Sequence, residues 1–466
     1  MKNKFTILLS FVSFFIFCFI LANWKKIPDD SLLLLFLPFI YSSYLFFGNL
    51  KRYIAHYFSL LIYTCLAFIR YVITPLFMLV FNTYDVLNSG GGEYLFNSYL
   101  LMIYELLFSI VVLEILFSKL KTPNETVWTL DFYKYPTLFL KVSIIIGFFG
   151  IFINPSFIER LYFFNTETPD FIPISGWYNG VLFYFVKFIQ IMLFFIILKH
   201  TKLNLKSNNL LKYLPLFFII ILNIAFVWSA NRASIVVTAL SLGYVMIKSF
   251  PQKTKTTVVT VVFLIIILTL SSTTLRKYNT TSISIAKSLG FKNDFWGEGL
   301  VLQLDAYLSG PSSIAVGLKV HDLYQDKWSI KTLINDLIIN TNILSQLSYK
   351  VFDTNLSQDR TSVYYNNYLM GSYIPPLIFQ GYIFLGEIFS PAFTVFSILL
   401  MFYFENKSKS SNDATIKYAW LYISIRFAFA LGYSIGILSG MFFTYFLPMY
   451  IILKINIKAQ RKKVKL

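Results

Sequence analysis

The chain is short of charge. Only 13% of its 466 residues are Asp, Glu, Lys or Arg, about half of the roughly 25% found in soluble domains. So few water-facing groups exclude the array of about three soluble domains that the length alone would suggest. Cysteine is scarcer still: Cys18 and Cys65 both lie inside apolar runs, which excludes a disulfide framework and a thiolate metal site. The histidines are His56, His200 and His321 and no others. The segments assigned below to the outside contain no DxD pair and no His/carboxylate cluster at metal-ligand spacing. No metal and no cofactor is therefore expected in the chemistry. No small-x-small cleavage site precedes Lys25, so the apolar run after Lys2 and Lys4 is read as a retained span and not as a signal peptide.

What the chain has is apolar length. Hydrophobic residues make up 57% and the mean hydropathy is +0.65. They fall in blocks of about 18 to 25, the length that crosses a hydrocarbon core of about 30 Å. Spans are read at 5–23, 31–49, 55–81, 95–117, 137–153, 178–198, 213–229, 231–248, 256–272, 380–404, 416–433 and 436–454. The fold class expected is all-α: a polytopic integral membrane protein of about twelve transmembrane helices. Lys and Arg collect in cytoplasmic loops, and the loops alternate accordingly. Lys51 and Arg52, Lys119, Lys121 and Lys134, Lys199 to Lys212, Lys248 to Lys255, Lys407 to Lys417 and the tail 455–466 are placed inside. Asp29 and Asp30, Asp85 and Glu93, and Glu159, Glu167 and Asp170 mark the short outer segments. Both termini are then cytoplasmic, the net charge of +18 is a topology signal, and nucleic acid is not an expected partner.

The domain reading is spans one to nine over 1–272, an extracytoplasmic loop with short helices over 273–374, a re-entrant piece with spans ten to twelve over 375–454, and the basic tail. The outer loop balances nine basic residues against eight acidic ones and carries Trp296, Trp328 and many tyrosines. Such a surface suits stacking on sugar rings, and it suits interfacial helices equally. Leu300–Val320 is apolar but interrupted at Gly310-Pro311, so two short helices are expected there, lying on or dipping into the outer leaflet. Pro375-Pro376 and Gly381 suggest a short interfacial piece before span ten.

Charges within spans cost a few kcal/mol each and mark either a functional site or a partner. They are Arg70 (with Pro75 five residues on), Glu105, Glu114, Lys187, Arg232, Glu387 and Arg426. Glu114 lies near the inner face, where it can snorkel. Arg70, Arg232 and Arg426 fall toward the outer side, below Arg276 and Arg360 of the loop. Guanidinium groups grip phosphate oxygens through two donors at once, so this gathering suits a diphosphate. Pairing with Glu105 or Glu387, or anchoring of helix ends, is the structural alternative.

This arrangement resembles the Wzy-type polymerases of O-antigen and capsular repeat units. The resemblance is carried by Tyr-Val-Ile-Thr-Pro-Leu after Arg70, by Ser229-Ala-Asn-Arg-Ala-Ser234, by Asp305-Ala-Tyr-Leu-Ser-Gly-Pro-Ser-Ser313 and by Gly371-Ser-Tyr-Ile-Pro-Pro376. Arg232 with Gly243 and Arg360 with Gly371 share an eleven-residue spacing that some members show. The resemblance implies a metal-independent glycosyltransferase of the cell (inner) membrane. Its donor and acceptor would be undecaprenyl-diphosphate-linked oligosaccharides, and a flippase and a chain-length regulator would be further partners. The leaving diphosphate would fall to Arg232, Arg360 and Arg70, supported by Arg276 and Arg426. His321 and Asp305 are the candidate bases for the acceptor hydroxyl. An O-antigen ligase and a lipid-linked oligosaccharide flippase or transporter are the competing readings, although the lopsided loop does not suit the paired halves of a transporter.

Overall fold

The computed structural model describes residues 2–87, 92–120, 138–153, 177–203, 214–225, 232–254, 258–260, 262, 296–339, 341 and 374–465. Regular structure among them is helical, without a strand. Among the described residues, six helical runs are long and apolar enough to cross a membrane: Phe5–Ala22, Asp29–Phe47, Phe58–Phe81, Gly92–Lys119, Tyr184–Lys202 and Ile435–Ala459. Their outer surfaces are apolar, with Phe15 70% exposed and, on the shorter helix Leu138–Ile153, Phe152 80% exposed. Water does not tolerate such a continuous apolar coat on a monomer, so the chain is a membrane protein. Leu138–Ile153, Leu214–Ile224 and Ser234–Ser249 are shorter apolar helices at expected spans, and most of 256–272 lies outside the described residues.

The chain forms two compact units. The first holds the described residues of Met1–Pro123, Gly290–Glu405 and Ser424–Phe442. In it Lys2–Ala22 packs on Phe36–Phe47, and the latter packs on Gly92–Lys119. The helix Phe58–Phe68 begins without a side-chain cap of its own. Instead Glu405 accepts hydrogen bonds from the Phe58 and Ser59 backbone amides at 2.6 and 3.0 Å and from the Ser59 hydroxyl. Glu114 does comparable work elsewhere: its two oxygens accept from the Asn49 amide and Asn49 Nδ2 at 2.9 and 2.6 Å, tying down the turn before Leu50–Tyr53.

Trp296–Leu308 and Pro311–Leu323 are the two short helices expected in the outer segment, and they meet at Gly310-Pro311. Their placement differs from the expectation. From Pro311 to Leu318 every residue of the second helix is buried, and Val320 with them. It packs against Gly92–Lys119 and Leu377–Leu385, so it lies inside the unit and not along a lipid surface. The small side chains of Ser312, Ser313, Ala315 and Gly317 are what let it sink so far; a Cβ on Gly317 would stand 2.9 Å from the Phe379 ring. The block at 380–404 is likewise two pieces. Leu377–Leu385 ends at Gly386, whose φ of +80° favours glycine, and Ala392–Ser410 follows.

The second unit holds the described residues of Asn124–Leu289, Asn406–Ile423 and Phe443–Leu466. Leu138–Ile153 packs on Trp177–Leu203. Gly147 and Gly150 open the contact, facing the Phe185 backbone and the Leu182 side chain, as small residues do where membrane helices approach closely. Lys187 Nζ donates to the Asn223 carbonyl at 3.3 Å, and Asn223 Nδ2 donates to the Gln190 and Ile219 carbonyls. That cation, one of the charges within the expected spans, thus meets a carbonyl of Leu214–Ala225.

Candidate functional site

Four of the residues expected to do chemistry lie with described side chains in the first unit: Arg70, Arg426, Asp305 and His321. Arg232 opens the helix Arg232–Ser249, but its side chain is outside the described set, as are Arg276 and Arg360 altogether.

Arg70 sits where the helical run Phe58–Phe81 changes its winding. Pro75 has no N–H to give to the carbonyl four residues back, and its ring would press on it. The helix relieves this by widening over Ile69–Ile73, where the Thr74 amide reaches the Ile69 carbonyl five residues earlier. Such single wide turns are common at functional positions. The turn holds Arg70, 1% exposed, with its Nη1 2.9 Å from Glu105 Oε2. Glu105 is held in turn: Thr394 Oγ1 donates to its Oε1 at 2.6 Å and the Tyr71 hydroxyl to its Oε2 at 3.3 Å. Two chain segments, the wide turn and the helix Ala392–Ser410, thus fix one carboxylate, and the carboxylate fixes one end of the guanidinium. The Arg70 carbon also stands 5.2 Å from the Tyr71 ring centre.

The other edge of the guanidinium is unused. Arg70 Nε and Nη2 are buried and have no acceptor among the described residues. In the planar fork these two donors point the same way, and together they form the edge that takes a carboxylate or phosphate through parallel bonds. Glu105 occupies Nη1 and leaves that edge free. Trp296–Leu308 packs on the wide turn and on Thr74–Phe81. Arg426, 3% exposed, has its Nη1 3.4 Å from the Tyr433 hydroxyl.

Asp305 and His321 stand at opposite ends of Pro311–Leu323. The N-cap of this helix is Gly310, which has no side chain to offer. Asp305 supplies the missing acceptor from the preceding helix. Its Oδ2 takes the Ser312 amide at 3.0 Å, and its Oδ1 takes the Ser313 amide at 2.8 Å and the Ser313 hydroxyl at 2.7 Å. A carboxylate at a helix N-terminus is doubly suited, as acceptor and as anion. The turn is tight: Ser309 has φ +54°, and a Cβ on Gly310 would stand 2.7 Å from Asp305 Oδ2.

His321 lies in the last turn of the same helix. Eight residues at 1.5 Å rise put it roughly 12 Å along the axis from the end that Asp305 caps, so the two side chains do not serve one hydroxyl. Its ring stacks on Trp328 at 6.3 Å and meets Tyr382 edge-on at 5.6 Å. Trp328 Nε1 donates to the His321 carbonyl at 3.3 Å, which fixes the indole, and Phe384 stands edge-on to it at 6.4 Å. Beside the ring, Asp322 accepts from the Tyr94 hydroxyl at 2.9 Å. Burial lowers the His321 pKa below its ordinary 6.5, with the Asp322 charge opposing, so the ring is neutral at pH 7.

Sequence reasoning picked out Arg70 and Glu105 as buried charges, but not Tyr71 and Thr394 as their partners. It missed Glu405, which falls one residue beyond the span read at 380–404. No group of three His, Cys, Asp or Glu side chains is placed to hold a metal ion among the described residues. No family model, no curated protein and no solved structure matches the chain.

Proposed function

We propose that the chain is a polysaccharide polymerase of the cell (inner) membrane, with about twelve spans, cytoplasmic termini and residues 273–374 outside. It joins undecaprenyl-diphosphate-linked oligosaccharide repeat units, as in O-antigen or capsule synthesis. In the reaction the acceptor hydroxyl oxygen forms a bond to the anomeric carbon of the donor, and that carbon's bond to the diphosphate oxygen breaks. The hydroxyl proton passes to a base, and the carrier diphosphate leaves with the electron pair. Fixed cations must meet the charge growing on that leaving group. Arg70, Arg232 and Arg360 take this role, with Arg276 and Arg426 in support.

The observation that supports this reading is the unfilled Nε/Nη2 edge of Arg70. A guanidinium paired for stability alone would gain by spending all its donors, since each buried donor without a partner costs about 1–3 kcal/mol.

Deletion of the gene followed by gel analysis of surface polysaccharide tests it. Loss of the ladder with single capped repeat units retained is the expected result. Repeat units trapped on the inner leaflet would identify a flippase, and an intact polymer that is never attached to its final acceptor would identify a ligase. Arg232→Ala and Arg360→Ala should each abolish polymerisation while the protein still accumulates in the membrane. Full activity in both overturns their part in holding the diphosphate.

A further inference from the structure

The ring around which the outer aromatic residues gather has one nitrogen turned inward. His321 Nδ1 is buried and has no hydrogen-bond partner among the described residues. A neutral imidazole carries one N–H and one lone pair, and the surroundings decide which nitrogen carries which. An N–H at the Nδ1 position would be a buried donor with nothing to bond. A bare lone pair there is the smaller loss, because an unpaired buried N–H is the rarer and costlier of the two. The proton therefore resides on Nε2, at the half-exposed edge of the ring. Protonation would put a second N–H into the closed position at Nδ1, so the ring resists becoming cationic.

The surroundings of that Nε2–H are aromatic and acidic. Trp328 and Tyr382 flank the ring, Phe384 backs the indole, and all three are partly exposed. The indole N–H is already spent on the His321 carbonyl, which leaves the ring faces and not the polar edge for a ligand. Asp322 is exposed beside them, oriented by Tyr94. Flat apolar faces with a donor and an acceptor at their rim match a pyranose, whose C–H face stacks on aromatic rings while its hydroxyls bond sideways.

We propose that His321, Trp328, Tyr382 and Asp322 form a seat for a sugar ring of the repeat unit, in which His321 Nε2–H donates to a sugar oxygen and positions it. This rests on the reading above that the substrate is a lipid-linked saccharide. It makes His321 a positioning residue and takes from it the role of proton acceptor expected from the sequence.

The test uses plasmid-borne full-length variants in the deletion strain, with ladder formation normalised to the protein found in the membrane. His321→Phe keeps an aromatic ring against Trp328 and Tyr382 but has no donor, and it should lower ladder formation about tenfold. His321→Gln places an amide N–H near the Nε2 position and cannot act as a base, and it should stay within about threefold of the unaltered protein. Activity in His321→Phe equal to the unaltered protein overturns the seat, as does a His321→Gln as inactive as His321→Phe. Failure of both variants to accumulate makes the ring's role structural and overturns it as well. A deletion strain that keeps its ladder overturns the polymerase reading itself, whatever the His321 variants do.

Discussion

Glu105→Ala is expected to destabilise the protein by about 3–5 kcal/mol, the usual consequence of leaving a buried charge without its counterion. Arg70 is 1% exposed, so it cannot turn to water, and its Nε and Nη2 already lack acceptors. Removing Glu105 takes away the acceptor of Nη1 and also strands Thr394 and Tyr71. The measurement is thermal inactivation of the purified full chain in detergent, together with its steady-state level in the membrane. Arg70→Met alone should cost a similar amount, for the converse reason. The pair Arg70→Met with Glu105→Leu separates structure from function. Replacing both partners by apolar side chains of similar volume is often neutral, so the double variant should regain most of the lost stability. If Arg70 grips a diphosphate, that stable double variant makes no ladder. A stable and active double variant would show the ion pair to be scaffold, and the diphosphate assignment of Arg70 would fall.

The second large effect is expected at Asp305. Asp305→Ala removes the acceptor for two backbone amides and one hydroxyl at the start of a helix that is buried from Pro311 to Leu318. Loss of a cap costs about 0.5–2 kcal/mol, and each stranded buried donor adds about 1–3 kcal/mol. A total near 4 kcal/mol, seen as a sharp fall in membrane accumulation, is the expected outcome. Asp305→Asn keeps one carbonyl oxygen and should lose roughly half as much. A general base would give the opposite pattern: Asp305→Asn would accumulate normally and be inactive. That result would restore Asp305 to the role of proton acceptor.

The two residues illustrate what could be read from the chain and what could not. The apolar blocks marked the six long helices because length and composition alone decide what crosses hydrocarbon. The helix break at Gly310-Pro311 was legible because proline favours the first turn. Arg70 and Glu105 stood out as buried charges, with Glu105 and Glu387 both open as partners of the arginines; which of them pairs with Arg70, 35 residues from Glu105, depends on the rotation of two helices, which no local pattern encodes. Pro75 hinted at a disturbance near Arg70; that it takes the form of a wide turn follows only from the backbone. Asp305 looked like chemistry because a carboxylate beside Ser and Tyr is ambiguous until its donors are seen. The enclosure of Pro311–Leu323 was illegible for the same reason, since its small residues suit a surface and a crowded interior alike. Arg232, Arg276 and Arg360 stay as the sequence left them, because their side chains lie outside the described residues.

The tie between Glu405 and the start of Phe58–Phe68 bears on how the protein is made. Its partners are 346 and 347 residues apart. At a synthesis rate of about 5–20 residues per second, the amides of Phe58 and Ser59 wait roughly 20 to 70 seconds for the acceptor that completes them. During that interval the early helices sit in the bilayer unfinished, open to quality-control proteases. A ribosome that stalls before residue 405 releases a product that lacks its clasp, so truncated copies should be cleared faster than full-length ones.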